Sequence, residues 1–330
     1  VVNVSGTADL APLDEQAKMV KEFVPEAKTV GILYSSAEAN SVYQVDTITP
    51  YLEEEGLDVK SYTVADTNEI AAVTKTAADE VDAIYWEQYF GDKQVILDGI
   101  TDPVQKTFAE INYGPWDRTT GKSFVEGYAD ALPGAGFYPA DMTKDEFDAW
   151  DNPDKNSPYT LVRRTSDGSL EAVWYHDAYK AHIDKIGNYL KAAADITIKP
   201  SVAKYLLSKA DALKTDQYYE SSLAWLDMDD SKMDLVIGPN EVTDDQLLGI
   251  KRSYEAFVLL KNQAHTQELM QYVSRIGEFQ EDLPGEAAYK TFQPGAGSNI
   301  FSCDALYYAG KANAGVKVIA LNLPSDTDTT

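Results

Sequence analysis

At 330 residues, 44% hydrophobic and 25% charged, the chain is long enough to bury most of its apolar surface and to form two domains. Its net charge of -26 is spread along the sequence rather than gathered in a tail, and it repels nucleic-acid backbones and anionic membrane surfaces, so no nucleic acid is expected as a partner. No apolar run reaches about eighteen residues, so no membrane span is expected, and the single cysteine, Cys303, excludes an intramolecular disulfide framework and a cysteine-based zinc site. The start lacks the basic-then-apolar pattern of a signal peptide, but the chain opens on Val1 without a methionine, which leaves open a leader already removed.

In chain order, Asp14 is a good N-cap for a helix carrying Ala17, Val20, Phe23 and Val24 at helical spacing, and Pro25 ends it. Thr29 to Tyr34 is an apolar run of strand length. A small polar loop, Ser35 to Ser41, leads to a helix through Val42, Val45, Ile48 and Leu52 that Pro50 should kink or shorten. Gly56 closes that helix, Asp58 to Val64 predicts a strand, Asn68 caps a helix from Glu69 to Asp79, and Val81 to Tyr85 predicts a third strand. The order β-α-β-α-β predicts a parallel sheet with right-handed crossovers, a truncated Rossmann-like half-lobe.

This first quarter, through SGTAD, EQAKMVKEFVPEAKTVGILY, SSAEANS and VDAIY, resembles the substrate-binding proteins of amino-acid ABC importers, of the tryptophan- and tyrosine-binding kind. The resemblance implies an amino-acid site built from Thr7, Asp9, Ser36, Asn40 and Ser41. Free N–H groups at a helix start, together with the hydroxyls and the amide, could take a carboxylate. Ordinary helix capping explains the same residues.

Further on, Trp86 to Ala109 is broadly helical with an interruption at Gly99 to Asp102. Glycines, prolines and aromatics then alternate from Ile111 to Met142, the composition of a structural Ω-type loop that wraps a core. Tyr159 to Arg164 and Leu170 to Tyr175 predict strands joined by a two-residue turn at Asp167-Gly168. Ala178 to Ala194 predicts a helix with Ile183, Ile186 and Leu190 inward, and Pro200 opens another with Val202, Tyr205, Leu206 and Leu213 inward. Met233 to Ile237 predicts a strand running into Gly238-Pro239, while periodicity leaves Tyr254 to Leu260 open between helix and strand. Thr266 to Phe279 predicts an amphipathic helix through Leu269, Tyr272, Val273 and Ile276, and Val316 to Leu323 a last strand before a polar end.

The motifs NYGPWDR, FVEG and GFYPADMTKDEF, followed by YTLVRR, SLAWLDM, MDLVIGPNE, YYAGKANAG and VIALNLPSD, resemble the shorter bacterial members of the dipeptidyl peptidase III family of zinc peptidases. The likeness runs back to about Ile84. It implies that Tyr254 to Leu260 is a strand and that residues 86–330 form a lower, substrate-holding α+β domain with a small β-barrel. Residues 1–85 form the importer-like half-lobe. The family's Gly-Phe/Pro-Ile-Glu-x-Tyr-x-Asp stretch reads Gly238-Pro239-Asn240-Glu241-Val242-Thr243-Asp244-Asp245 here, so Glu241 and Asp245 match and Thr243 replaces the tyrosine. A carboxylate beside a sheet edge can neutralise a peptide's N-terminal ammonium, and helix capping by Asp244 or Asp245 is the other reading. The family's Asn-x-Pro-Asn appears as Asn322-Leu323-Pro324-Ser325, so the resemblance implies peptide contacts from Asn322 and, by one hydrogen bond, Ser325.

The three histidines, His176, His182 and His265, lack the HExxH spacing, and no metal role is expected for them. The resemblance places the family's His-Glu-x-x-Gly-His segment after the last residues here, so zinc is expected in a complete parent enzyme and none on this chain, which should not hydrolyse peptides alone. The two resemblances meet at Val81 to Trp86, which implies a fusion or a piece of a longer protein. The leading expectation is a peptide-binding portion of a zinc dipeptidyl peptidase. The alternative is an extracytoplasmic importer protein that binds an amino acid or peptide and docks on an ABC permease, and the third is a chimera without native activity.

Overall fold

The computed structural model describes residues 12–35, 39–64, 67–89, 91, 93–228, 231–286, 290, 300–315, 317–318 and 320–321. The chain divides into two compact units, Val1–Ile70 and Ala71–Thr330. The fold is α+β, as expected.

In the first unit, α1 (Leu13–Phe23) and α2 (Ala39–Glu54) accompany two parallel strands, β1 (Thr29–Ser35) and β2 (Asp58–Val64), in register from Thr29↔Asp58 to Ser35↔Val64. Ala17, Leu52 and Leu57 form the core, with Val20, Val30, Ile48 and Val59 against it. The buried face of α1 is Leu13 and Ala17, whereas Phe23 and Val24 are 75% and 55% exposed, so the apolar stripe turns outward at its C-terminal end. Pro50 does not stop α2, which continues to Glu54.

The expected third strand is absent. Val81 to Tyr85 lie inside α3 (Thr67–Tyr89), a 23-residue helix that crosses the expected junction without a break. Ile70, Thr74, Ala77, Ala78, Val81, Ile84, Tyr85, Trp86 and Gln88 are buried, and the recurring steps of three and four are those a helix places on one face. The alanines at 71, 72, 77 and 78 supply the helical propensity that the short stretch alone conceals.

The second unit continues with α4 (Lys93–Asp98) and α5 (Pro103–Asn112). Asp102 caps α5, its Oδ1 accepting from the N–H groups of Val104 and Gln105 at 2.8 and 2.9 Å. Residues 113–142 hold no helix or regular strand, only a bridge between Trp116 and Ser123. They are nonetheless anchored throughout: Trp116 Nε1 donates to Ala129 O at 2.7 Å, Gly136 N to Gln88 O at 2.8 Å, and Val162 N to Phe137 O at 2.8 Å. Phe137 is fully buried, and a Cβ on Gly136 would collide with the Gln88 carbonyl. The segment is a packed strap, in keeping with the Ω-loop reading.

After α6 (Lys144–Ala149), β3 (Thr160–Arg164) and β4 (Leu170–Trp174) pair antiparallel. The turn is longer than the two residues expected, because Thr165 N donates to Ser169 O and leaves three residues in the loop, with Gly168 left-handed at φ 88°. Next come α7 (Tyr175–Ala178), α8 (Lys180–Ile196), α9 (Pro200–Thr215) and α10 (Tyr219–Leu226). Ile183, Ile186 and Leu190 of α8 and Val202, Tyr205, Leu206 and Leu213 of α9 are buried as the periodicity requires.

The last sheet is β5 (Met233–Glu241), β6 (Ser253–Lys261) and β7 (Cys303–Gly310), in the order β5-β6-β7 and antiparallel throughout. It is open: among the described residues no sheet closes, which corrects the expected β-barrel. β5 runs past Ile237 through Gly238 and Pro239, which an edge strand tolerates because the missing N–H breaks no ladder there. The resemblance reads β6 rightly as a strand. The single helix expected from Thr266 to Phe279 is two, α11 (Gln263–Val273) and α12 (Ile276–Asp282), neither with a buried residue among those described. Of the expected last strand, Val316, Ile319, Asn322 and Leu323 lie outside the described residues, and the other four are in no strand.

Candidate functional site

The C-terminal end of β5, the turn that follows it, β6 and the end of β7 gather charged side chains around Asp244. Asp244 is 5% exposed. Its Oδ2 accepts from Tyr85 OH of α3 at 3.0 Å and from Ser253 Oγ at 2.6 Å. Its Oδ1 accepts from Lys311 Nζ at 2.5 Å and faces Arg118 Nη2 at 3.4 Å. Arg118, carried in by the strap, also donates to Tyr85 OH and lies 4.2 Å over the Tyr89 ring. Its Nη1 is buried without a hydrogen-bond partner among the described residues. Two cations thus converge on one buried carboxylate, and the helix, the strap, the sheet and the 3-10 turn Lys311–Asn313 are tied together through it.

Two further carboxyl groups stand near this cluster. Glu241 ends the edge strand β5, half-buried, its Oε1 accepting from Thr243 N at 2.7 Å. Glu255 is 4% exposed on the central strand, and both residues in register with it are glycines, Gly238 on β5 and Gly310 on β7. Neither neighbour has a side chain to crowd its carboxyl. Burial pushes Glu255 up to about 8, the nearby charges of Glu241 and Asp244 push the same way, and Lys311 pulls against them. At neutral pH it is therefore largely a neutral acid.

Asp245 is differently placed from Glu241. Its Oδ1 accepts from the N–H groups of Leu247 and Leu248, and its Oδ2 from those of Ile250 and Lys251 and from Tyr138 OH at 2.6 Å. Burial opposes its ionisation, but these donors hold its carboxyl below the usual range. The carboxylate organises the turn from 245 to 251 and caps no helix. Behind it the fully buried Lys251 donates to Lys155 O, Ser157 O and Thr160 Oγ1, each at 2.8 Å.

Of the other expected site residues, Thr7, Asp9, Ser36, Asn322 and Ser325 lie outside the described residues. Asn40 and Ser41 lie in the first turn of α2. His176 Nδ1 is 2.8 Å from Asp216 Oδ2, His182 Nδ1 is 2.7 Å from Glu80 Oε2, and His265 N donates to the Asn262 cap of α11. Among the described residues no three His, Cys, Asp or Glu side chains are arranged to hold a metal ion.

Sequence reasoning assigned no role to Arg118, Lys311 or Glu255. The first two stand inside quoted motifs, GPWDR and YYAGKANAG, where a lone cation amid glycines and aromatics is a usable signal. Glu255 is an acid in the otherwise apolar run of β6.

Residues 1–107 match the model of the ABC transporter substrate binding protein family. The tyrosine-binding protein of Clostridioides difficile is 30% identical over 83 residues, 25% of this chain and 24% of that protein. Nudix hydrolase 3 of Arabidopsis thaliana is 27% identical over 325 residues, 79% of this chain and 42% of that protein. Similar solved structures include dipeptidyl peptidase III from Caldithrix abyssi (TM-score 0.72, 30% identity, 93% of this chain and 56% of that one) and dipeptidyl-peptidase III from Corallococcus sp. strain EGB (TM-score 0.69, 28% identity, 80% and 52%). The chain spans about half the length of these two structures. Both resemblances stated from the sequence are present, and they overlap. The importer-type match runs on to residue 107, and coverage of 93% carries the peptidase likeness into the first 85 residues. Among the described residues no helix is long and apolar enough to cross a membrane.

Proposed function

We propose that the second unit holds the amino-terminal end of a peptide, as the substrate-holding part of a dipeptidyl-peptidase-III-like zinc enzyme. Glu241 receives the ammonium group at the end of β5. The observation that carries this reading is the position of Glu241: it is half-buried, it ends an edge strand, and it spends one oxygen on Thr243 N while Asp245 is consumed by its own turn. The Asp244 cluster fixes the turn that follows Glu241. Asn322 and Ser325 complete the expected contacts in this reading.

A charge-assisted bond to the ammonium predicts a sharp chemical preference. Titration calorimetry should show a free tetrapeptide binding at least about tenfold tighter than its N-acetylated form, and Glu241→Gln should abolish that preference by costing about 1.5–3 kcal/mol. Equal binding of the acetylated peptide would remove Glu241 from the role.

A second reading is favoured for the first residues by the importer-family match over 1–107. There the ligand is an amino acid, the partner an ABC permease, and the contacts Thr7, Asp9, Ser36, Asn40 and Ser41. Tyrosine at about 100 times its Kd should then stabilise the first unit by about 2.7 kcal/mol, seen as a rise in its melting temperature. No shift with tyrosine or tryptophan counts against it.

A further inference from the structure

The second unit contains a cleft of about 320 Å3 whose lining includes neither Asp244 nor Glu241. Its inner wall is rigid. Trp86 and Tyr113 stack with ring centroids 5.4 Å apart, and Tyr113 OH donates to Asp82 Oδ1 at 2.7 Å while accepting from Asn313 Nδ2 at 2.8 Å. Gly310 N also donates to Asp82, and Lys317 Nζ donates to both oxygens of Asn313. These groups form one hydrogen-bonded chain that sets a carboxylate at one end and an ammonium at the other.

The mouth is different in kind. The Lys93 ammonium sits 5.3 Å over the Trp86 ring, and neither it nor the exposed Glu110 carboxylate has a hydrogen-bond partner among the described residues. Ile111 beside them is 52% exposed. Two cations and two anions therefore face one small space.

We propose that this cleft binds a small zwitterion, an α-amino acid with an aliphatic side chain. Its carboxylate meets Lys93 and Lys317, its ammonium meets Glu110 and Asp82, and its side chain lies along Ile111. A ligand of a single charge would leave two like charges of the wall facing it, which is the element that rejects it. The volume is at the lower end for ligand sites, which excludes long peptides. Aromatic side chains gain little, because Trp86 already has Tyr113 and Lys93 against its ring and is only 2% exposed.

The test labels the full chain with 5-fluorotryptophan and follows Trp86 by fluorine NMR, its signal assigned through Trp86→Phe. All five tryptophans lie in the second unit, so binding to the first unit does not move them directly. Titration with L-leucine should shift the Trp86 signal saturably and leave that of Trp225 in place. The one-charge analogues 4-methylpentanoate and 3-methylbutylamine should bind at least about tenfold more weakly to the unaltered protein, and Glu110→Gln and Lys317→Met should each weaken leucine by about tenfold. A Trp86 signal that leucine leaves unmoved overturns the proposal. So does an analogue that binds as tightly as leucine.

Discussion

Asp244→Ala is expected to destabilise the second unit by about 3–5 kcal/mol, because it removes the one carboxylate shared by a buried guanidinium and a mostly buried ammonium. Arg118 and Lys311 would be left facing each other, with side chains only 8% and 22% exposed. Tyr85 OH and Ser253 Oγ lose their acceptor at the same time. For a domain of this size the loss corresponds to a fall in Tm of roughly 6–20 °C. Urea titration of the two-unit protein reads it directly, with the transition of the second unit moving and that of the first staying where it is. Asp244→Asn keeps an acceptor for the two hydroxyls but not the charge and should fall between wild type and alanine. Adding Arg118→Met to Asp244→Ala should recover part of the loss, since the stranded cation goes with its partner. A drop below about 1 kcal/mol for the alanine variant would mean that solvent, not Asp244, neutralises the two cations.

That cluster also shows what the sequence could and could not disclose. Helices with sustained periodicity, such as α8 with Ile183, Ile186 and Leu190, are legible because each buried position announces itself at the right interval. Val81 to Tyr85 misled for the opposite reason: a five-residue stretch is too short to show a period, and length had to be judged over α3 as a whole. The long segment from Ile111 was legible in character but not in contacts. Its composition announces a packed loop, yet nothing local says that Arg118 reaches Tyr85 and Asp244, 33 and 126 residues away. Likewise Glu241 and Asp245 stand four positions apart, and only the hydrogen bonds from Leu247, Leu248, Ile250, Lys251 and Tyr138 separate a carboxylate that spends one oxygen from a consumed one. Local sequence specifies elements, whereas polar clusters are made by distant residues that satisfy one another on folding.

Glu255 makes the stability of the second unit depend on pH. Its unfolded value is near 4.5 and its folded value about 8, so between these limits the folded chain holds a proton that the unfolded chain has lost. The sign follows from that difference: the contribution of Glu255 is fully present below pH 4.5 and is lost as pH rises through 8, because ionisation places a charge beside Glu241 and Asp244 in a site closed to water. A difference of this size corresponds to about 3–5 kcal/mol across the window. Glu255→Gln presents the same shape and stays neutral, so it should match wild type near pH 4, lose the downward slope, and exceed wild type by about 2–4 kcal/mol at about pH 9. Urea titrations at intervals from about pH 4 to 9 on both proteins separate this from the background of the other carboxylates, which both chains share. Parallel curves for the two proteins would show that Lys311, which faces Asp244 across the same turn, already holds Glu255 ionised in the folded state.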